Sequence, residues 1–387
     1  LNKVKIAIIP GAFFPDPGGA QVQAHNLANF FQKNHLVDVF LFKKTNIIKK
    51  KYKIKYINKY ILNLAYILKY YFNINASFIL EWYLKKIIKK KKYYIWHFIF
   101  LNYKSLLIIN TLAKLDQKIA VTFQGADIQI NKSIKYGNRL DKKYDEFLKQ
   151  VIKKVHLFTS ISENITKDLI KLNINKKLIV NIPNGIPIKK FLKYNLKKNK
   201  KNKKLRIITV ARYSEKKKGY DLLSKIIKKI IDKKIDFEWT IIGKDTNKLL
   251  LNSKIFRNVD KFKIYENIDS KKEYYFPNSQ IIKLYNQSDL YINLSRIESF
   301  GITFVESLAA NVPLITFDTK GANEIVKDKI NGFIIKEGNY DMFVKKIYSI
   351  YIQRKLFKNN PLKSAQTFSL EKLTKKYINA YKGKLSS

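Results

Sequence analysis

Two glutamates separated by seven residues lie in the segment Ser288 to Gly321, SDLYINLSRIESFGITFVESLAANVPLITFDTKG. A strand is expected to end near Leu294, a loop to carry Glu298, Ser299, Phe300 and Gly301, and a helix to start near Ile302 with Glu306 in its first turns. In an open α/β sheet the ligand crevice lies at the carboxyl ends of the strands. Amides at such a helix start favour an anion such as a diphosphate. Gly301 allows backbone to approach a ligand closely. The two carboxylates are then placed to accept hydrogen bonds from sugar or ribose hydroxyls. The same residues also describe a solvated helix N-terminus with acidic side chains, and the segment alone leaves both readings open.

The elements that would position these groups follow an α/β rhythm. Val4 to Pro10 is a short apolar run that reads as a buried strand, followed by a Pro/Gly-rich loop, Pro15 to Gly19. Ala20 to Lys33 has helical spacing and Val37 to Phe42 reads as the next strand, which is the opening of a doubly wound domain. Ile119 to Phe123 and Val155 to Ser160 are later strands. The basic run Lys193 to Lys204 is polar and unpatterned, as a linker would be. The rhythm then restarts: strands at Arg206 to Ala211, Phe237 to Gly243, Leu290 to Leu294 and Val312 to Phe317, helices at Asp221 to Ile231 and Val305 to Asn311, and a final helix from about Phe368 to Tyr381.

Composition narrows the classes. The 387 residues hold 77 Lys and Arg against 29 Asp and Glu, a net charge of +48. A hydrophobic content of 46% is too high for a disordered polybasic chain. Length suggests two domains with sizeable cores. With no cysteine, disulfides, cysteine zinc sites and thiol nucleophiles are excluded, and four scattered histidines argue against a His-rich metal site. Only six of the basic residues are Arg, so the charge reads either as codon usage or as codon usage exploited for an anionic surface. The first residues show no signal-peptide core, and no stretch is long and uncharged enough for a spanning helix; Tyr60 to Leu84, the nearest, is broken by Lys69, Glu81 and several Asn. Cytoplasmic location is the expectation, with attachment to the inner face of the cytoplasmic membrane left open.

The run from Glu298 to Pro313 resembles the signature of glycosyltransferase family 4, E-x-F-G-x-x-x-x-E-A-x-A-x-G-x-P, and continues into TKGANEIVKDKINGFII, similar to the family's G-G-x-x-E and D-G-x-x-G-x-L-V stretches. TVARYSEKKKGYDLL resembles the strand and loop G-R-L-x-x-x-K-G. SISENITKDLIKLNI and NIPNGIPIKKF resemble the junction between the family's two domains, where Asn184 and Gly185 form a turn-prone pair. The resemblance implies the α/β GT-B architecture, two Rossmann-like doubly wound domains facing across a cleft. The expected division is an acceptor-binding domain at 1–185, a linker at 186–204, a nucleotide-sugar-binding domain at 205–365, and a C-terminal helix at 366–387 that packs back on the N-terminal domain.

The resemblance also implies roles. Arg212 and Lys218 grip the donor diphosphate, Lys218 being preferred over Lys216 and Lys217 because it adjoins Gly219; with Glu298 they form the catalytic set. Glu306, Ser299, Phe300, Gly301, Ile302, Gly243 and Gly19 bind the donor. Gly18, Gln124 and Asp127 bind acceptor or sugar. No metal or cofactor is implied, and the substrate is a UDP- or GDP-sugar. Two positions depart from the family pattern. TFQGADI carries Gln124 where the family has His, and Gln cannot act as a base near neutral pH. In the family's retaining, front-face mechanism the leaving phosphate takes the acceptor's proton, so the change need not abolish activity. Asn311 replaces a Gly and tolerates a left-handed backbone. Asp127 has a helix N-cap as its simpler role.

Residues 43–92 hold fifteen Lys and one acidic residue, Glu81, interleaved with aromatic and aliphatic side chains. That composition suits an anionic membrane surface and a glycan or lipid-linked acceptor of polysaccharide or lipopolysaccharide synthesis, or an ordinary α/β region coloured by codon usage. Competing functions are a nucleotide-sugar epimerase or phosphorylase, a non-catalytic transferase-like protein motivated by Gln124, and a basic surface-binding protein; no nucleic-acid motif is visible.

Overall fold

A computed structural model describes residues 3–14, 18–47, 49–75, 77–194, 204–258, 260–266, 268 and 273–385. The chain divides into two bodies. One takes residues 1–184, 271–275 and 370–387; the other takes 185–270 and 276–369.

The first body is built on seven strands: β1 (Lys5–Pro10), β2 (Leu36–Leu41), β3 (Lys53–Tyr56), β4 (Ile95–Ile99), β5 (Ile119–Phe123), β6 (Leu157–Ser160) and β7 (Ile179–Asn181). They pair in the order β3-β2-β1-β4-β5-β6-β7, all parallel. The second body has six: β8 (Leu205–Val210), β9 (Phe237–Ile242), β10 (Phe262–Tyr265), β11 (Leu290–Asn293), β12 (Leu314–Phe317) and β13 (Gly332–Ile335), in the order β10-β9-β8-β11-β12-β13, also all parallel. Runs such as IAVTF and LITF are buried throughout, as strands covered on both faces must be. Both orders reverse once, between β1 and β4 and between β8 and β11. These are the switch points at which doubly wound sheets open a crevice.

Amphipathic helices cover the sheets. Leu223–Asp232 buries Leu223, Ile226, Ile227 and Ile230, the i, i+3, i+4, i+7 stripe. They join Trp239, Ile241, Leu290 and Ile292 in the second core. Burying each such side chain contributes about 1.5–3 kcal/mol. One expectation changes here. Residues 188–193, expected in the linker, form the helix Ile188–Lys193 of the second body, because Ile188 and Phe191 are buried there. Most of the remaining linker, 195–203, and Pro15 to Pro17 of the N-terminal loop lie outside the described residues. No helix among the described residues is long and apolar enough to cross a membrane.

The last helix, Leu370–Leu385, belongs to the first body from Leu370 onward. Leu370, Leu373, Tyr377 and Tyr381 enter the core formed by Ile6, Leu27, Phe31 and Ile95. Tyr381 Oη lies 2.7 Å from His97 Nδ1, and His97 Nε2 lies 2.7 Å from Thr122 Oγ1. Burial pushes the His97 pKa down to about 3, so this ring is a neutral link between strand and helix. Leu373→Ala is expected to cost about 2–5 kcal/mol in urea unfolding of the first body; an unchanged midpoint would mean that the helix carries none of its stability.

Candidate functional site

The second body brings two distant segments together at its switch point. Beyond the end of β8 the chain reaches Arg212, turns through a single helical turn, Glu215–Lys218, and reverses at Gly219. Beyond β11, which pairs directly with β8, the loop carries Arg296, Glu298, Ser299 and Phe300. Lys218 Nζ donates to Glu298 Oε1 at 2.5 Å, and both side chains are largely shielded from water, 16% and 12% exposed. Burial alone would raise the Glu298 pKa, but the Lys218 charge and hydrogen bond outweigh it and hold the carboxyl below its ordinary range.

The three adjacent lysines separate cleanly. Lys216 is exposed and pairs with Asp221 at 3.2 Å. Lys217 is partly buried. Desolvation first, then Lys218 and Arg212, push its ammonium down to about 7 despite the opposing Glu298. Arg212 is exposed. Lys218 pairs with Glu298, Lys217 interacts with the same carboxylate, and Arg212 is near enough to Lys217 to lower its pKa, and this surplus of positive charge suits an anionic ligand.

Backbone constraints explain the geometry. Gly219 stands at φ +69°, and a Cβ there would collide with the Leu294 carbonyl. Gly321 N donates to Glu298 O at 2.8 Å, and a Cβ on Gly321 would sit 2.7 Å from that oxygen and 2.8 Å from Phe300 N. Arg296 ties the two loops together. Its amide donates to Lys217 O at 3.0 Å and Nη1 to Lys216 O at 2.7 Å. Its guanidinium holds Asp221 at 2.8 and 3.0 Å and Glu337 at 2.6 Å. Sequence reasoning passed over Arg296; the available signal was an Arg kept in a chain that writes Lys almost everywhere.

The helix Ile302–Ala309 begins at Gly301, φ +90°, where a Cβ would meet the Phe304 ring at 2.5 Å. Glu306 lies inside it, 4% exposed, and Oε2 accepts from Tyr285 Oη at 3.1 Å. Burial raises its pKa to about 8, against Tyr285 and Lys190. The Phe300 ring is buried, edge-on to Phe368 at 5.7 Å, which leaves its backbone to face the loop. Ser299 is buried beside it. Gly243, after β9, lets that strand end approach Ala211, whose carbonyl a Cβ would strike. Asn311 takes the left-handed conformation, φ +56°, that the family's Gly would supply.

In the first body Gly18 precedes the helix Gly19–Phe31 in extended conformation, with Gly19 as its first residue. Gln124 follows β5, and its amide pairs reciprocally with that of Asn184, at 2.8 and 3.2 Å. Each amide keeps one N–H and one acceptor site beyond that pair. Asp127 departs from its simpler expected role as a helix N-cap. Its carboxylate is fully buried and accepts from the amides of Leu101 (3.0 Å), Gln124 (2.9 Å) and Gly125 (2.8 Å). It organises the loops after β4 and β5, and no helix starts there for it to cap. Burial raises its pKa to about 6, opposed by these amides. Among the described residues, no group of three or more His, Asp or Glu is placed to hold a metal ion.

Comparison with known proteins matches this geometry to a family. The profile described as "Glycosyltransferase Family 4" matches residues 17–190, and "Glycosyl transferases group 1" matches residues 193–361, in tandem. The chain belongs to glycosyltransferase family 4. Its two parallel Rossmann-like bodies are the GT-B fold of solved family structures. A glycosyltransferase from Rickettsia africae superposes with a TM-score of 0.74 at 21% identity, covering 100% of this chain and 99% of that one. Anabaena HepE, solved with UDP and glucose, gives 0.73 at 14% identity over 98% and 100%. The Staphylococcus aureus capsular polysaccharide biosynthesis glycosyltransferase CapM is 26% identical over 238 residues, 54% of this chain and 58% of CapM. Matches to curated relatives span from 13% to 58% of those proteins' own lengths. The family 4 signature thus falls on the ion pair and the buried glutamate just described.

Two outcomes follow from the site. Arg296→Lys keeps the charge but loses the fork that grips Asp221. Amide hydrogen exchange across residues 214–219 should accelerate, and unchanged protection would show that Arg296 does not position Lys218. Glu306 carries its proton to about pH 8 when folded, against 4.5 in the unfolded chain. Its stabilising contribution is full below pH 4.5 and lost as pH rises through 8. Thermal melts over that window should fall for the wild type relative to Glu306→Gln, and parallel profiles would contradict a buried neutral carboxyl.

Proposed function

We propose that this chain is a retaining glycosyltransferase that moves a sugar from a nucleotide-diphosphate sugar to a glycan or lipid-linked acceptor in the synthesis of cell-surface polysaccharide or lipopolysaccharide. The observation that carries the reading is the Lys218–Glu298 ion pair, with Lys217 beside it and Arg212 near Lys217, at the β8/β11 switch point. CapM, named for capsular polysaccharide biosynthesis, supports the acceptor class, and HepE solved with UDP and glucose favours UDP as the donor nucleotide.

In this reading residues 205–365 form the donor domain and 1–185 the acceptor domain. Arg212 and Lys218 neutralise the departing diphosphate, the charge that grows as the glycosidic C–O bond breaks. Amides at Gly301 and Ile302 hold the same group. Glu298, kept ionised by Lys218, accepts from sugar hydroxyls, and Glu306 serves the donor from within its helix. The acceptor oxygen bonds to the anomeric carbon on the face the phosphate leaves, and its proton passes to the leaving phosphate oxygen. Gln124 orients a hydroxyl through the amide groups its Asn184 pairing leaves, and Gly18 and Gly19 present backbone to the substrates.

Thermal-shift measurement against UDP-, GDP- and ADP-sugars should single out one nucleotide. With that donor, Arg212→Ala and Glu298→Ala should each lower kcat/KM by about 10²-fold or more while circular dichroism is unchanged. NMR of the product should show the anomeric configuration of the donor. Full activity in either variant would overturn the site, and an inverted product would overturn the retaining mechanism.

A further inference from the structure

The lysine-rich segment contains a helical hairpin that exposes apolar side chains. The helix Lys59–Phe72 buries Leu62 and Ala65, and the helix Ser77–Lys90 buries Leu80 and Leu84. The opposite side of the first helix exposes Tyr60, Leu64, Ile67 and Tyr71. Their spacing of four, three and four residues places them within about 60° of one another around the axis. Phe72 and Ile74 are exposed near the turn, and Phe78 and Trp82, at i and i+4, on the second helix. Tyr60 is 73% exposed and Trp82 57%. Large apolar side chains in contiguous exposed stripes mark an interaction surface.

Charge identifies the occupant. The two helices carry Lys59, Lys69, Lys85, Lys86, Lys89 and Lys90. The acidic residue between them, Glu81, is neutralised by Lys114 of the first body at 3.1 Å. Lys86 Nζ sits 3.5 Å from the centroid of the Trp82 ring. Lysine stems beside aromatic rings suit the boundary between headgroups and acyl chains, where rings enter the apolar side and ammonium groups meet anionic headgroups. A second copy of this chain would bring the same lysines to the contact, and like charges facing each other oppose association.

We propose that the hairpin of residues 59–90 inserts its exposed apolar stripe into the surface of an anionic lipid bilayer. It goes beyond the proposed transfer reaction and does not require it. Insertion, as distinct from adsorption by lysines, depends on Tyr60, Leu64, Ile67, Tyr71, Phe78 and Trp82.

The full chain reports on this directly, because Trp82 is exposed while the other two tryptophans, Trp96 and Trp239, are buried. In flotation with vesicles of phosphatidylcholine and phosphatidylglycerol, the protein should rise with the vesicles and its emission should shift to shorter wavelength. Phosphatidylcholine vesicles alone should give neither effect. Leu64→Ser with Ile67→Ser, which leaves the charge and the donor site untouched, should weaken partitioning about tenfold or more and abolish the shift. Circular dichroism and the donor thermal shift serve as controls for the fold. Flotation without an emission shift, or equal flotation of the double variant, would overturn insertion. A dimer in analytical ultracentrifugation that dissociates in the double variant would assign the stripe to a protein contact instead. Loss of the donor thermal shift with vesicle binding intact would count against the transferase reading alone.

Discussion

An ionised carboxylate withdrawn from water needs compensating partners, and at Glu298 much of the second body serves to deliver Lys218 as that partner. The two residues are eighty positions apart in sequence. They meet because β8 and β11 are neighbours at the point where strand order reverses, so that both strands release their loops at the same edge. Gly219, Gly321 and Arg296 then remove the remaining freedom. The glycines allow backbone approaches that any Cβ would block, and the guanidinium bonds to both loops at once. The ion pair is a consequence of topology first and of local chemistry second.

The arginines repeat this logic elsewhere. In a chain of 77 basic residues only six are Arg, and four of those grip carboxylates. Arg206 holds Asp289 at 2.8 and 3.1 Å, and Arg354 reaches the same Asp at 3.0 Å. Arg139 holds Asp145 at 2.5 Å, and Arg296 holds Asp221 and Glu337. A planar fork satisfies two acceptor oxygens in a fixed geometry, which a lysine ammonium cannot reproduce. Four of the six arginines of this chain serve that purpose.

Lysine is the basic residue nearly everywhere else, so net charge alone says little about function. What distinguishes individual lysines is their surroundings. Lys216, Lys217 and Lys218 are adjacent and chemically identical, yet one is exposed, one is partly desolvated with its pKa pushed down to about 7, and one is in a shielded ion pair. Along the hairpin, lysines matter by virtue of the apolar stripe beside them, a pattern that the sequence displayed as a mixture of both.

The amino-acid sequence by itself determined the α/β class, the approximate extent of most strands, and the loop and helix that carry Glu298 and Glu306, while Arg212 and Lys218 were implied by the family resemblance and Arg296 was not marked. Those features are local: strand and helix periodicity, glycines at forced turns, and a glutamate spacing that spans one loop and one helix. What the sequence left undecided depends on what lies opposite a side chain. Asp127 sits in a motif that suggests a ligand, but three backbone amides from two loops claim its carboxylate. Phe300 lies beside the ion pair in sequence, yet its ring packs against Phe368. Tyr60, Leu64, Ile67 and Tyr71 have the spacing of a core-facing stripe, and only the fold reveals that Leu62 and Ala65 face inward instead. Burial and partnership are properties of pairs of distant segments, and only the tertiary structure decided which segments met.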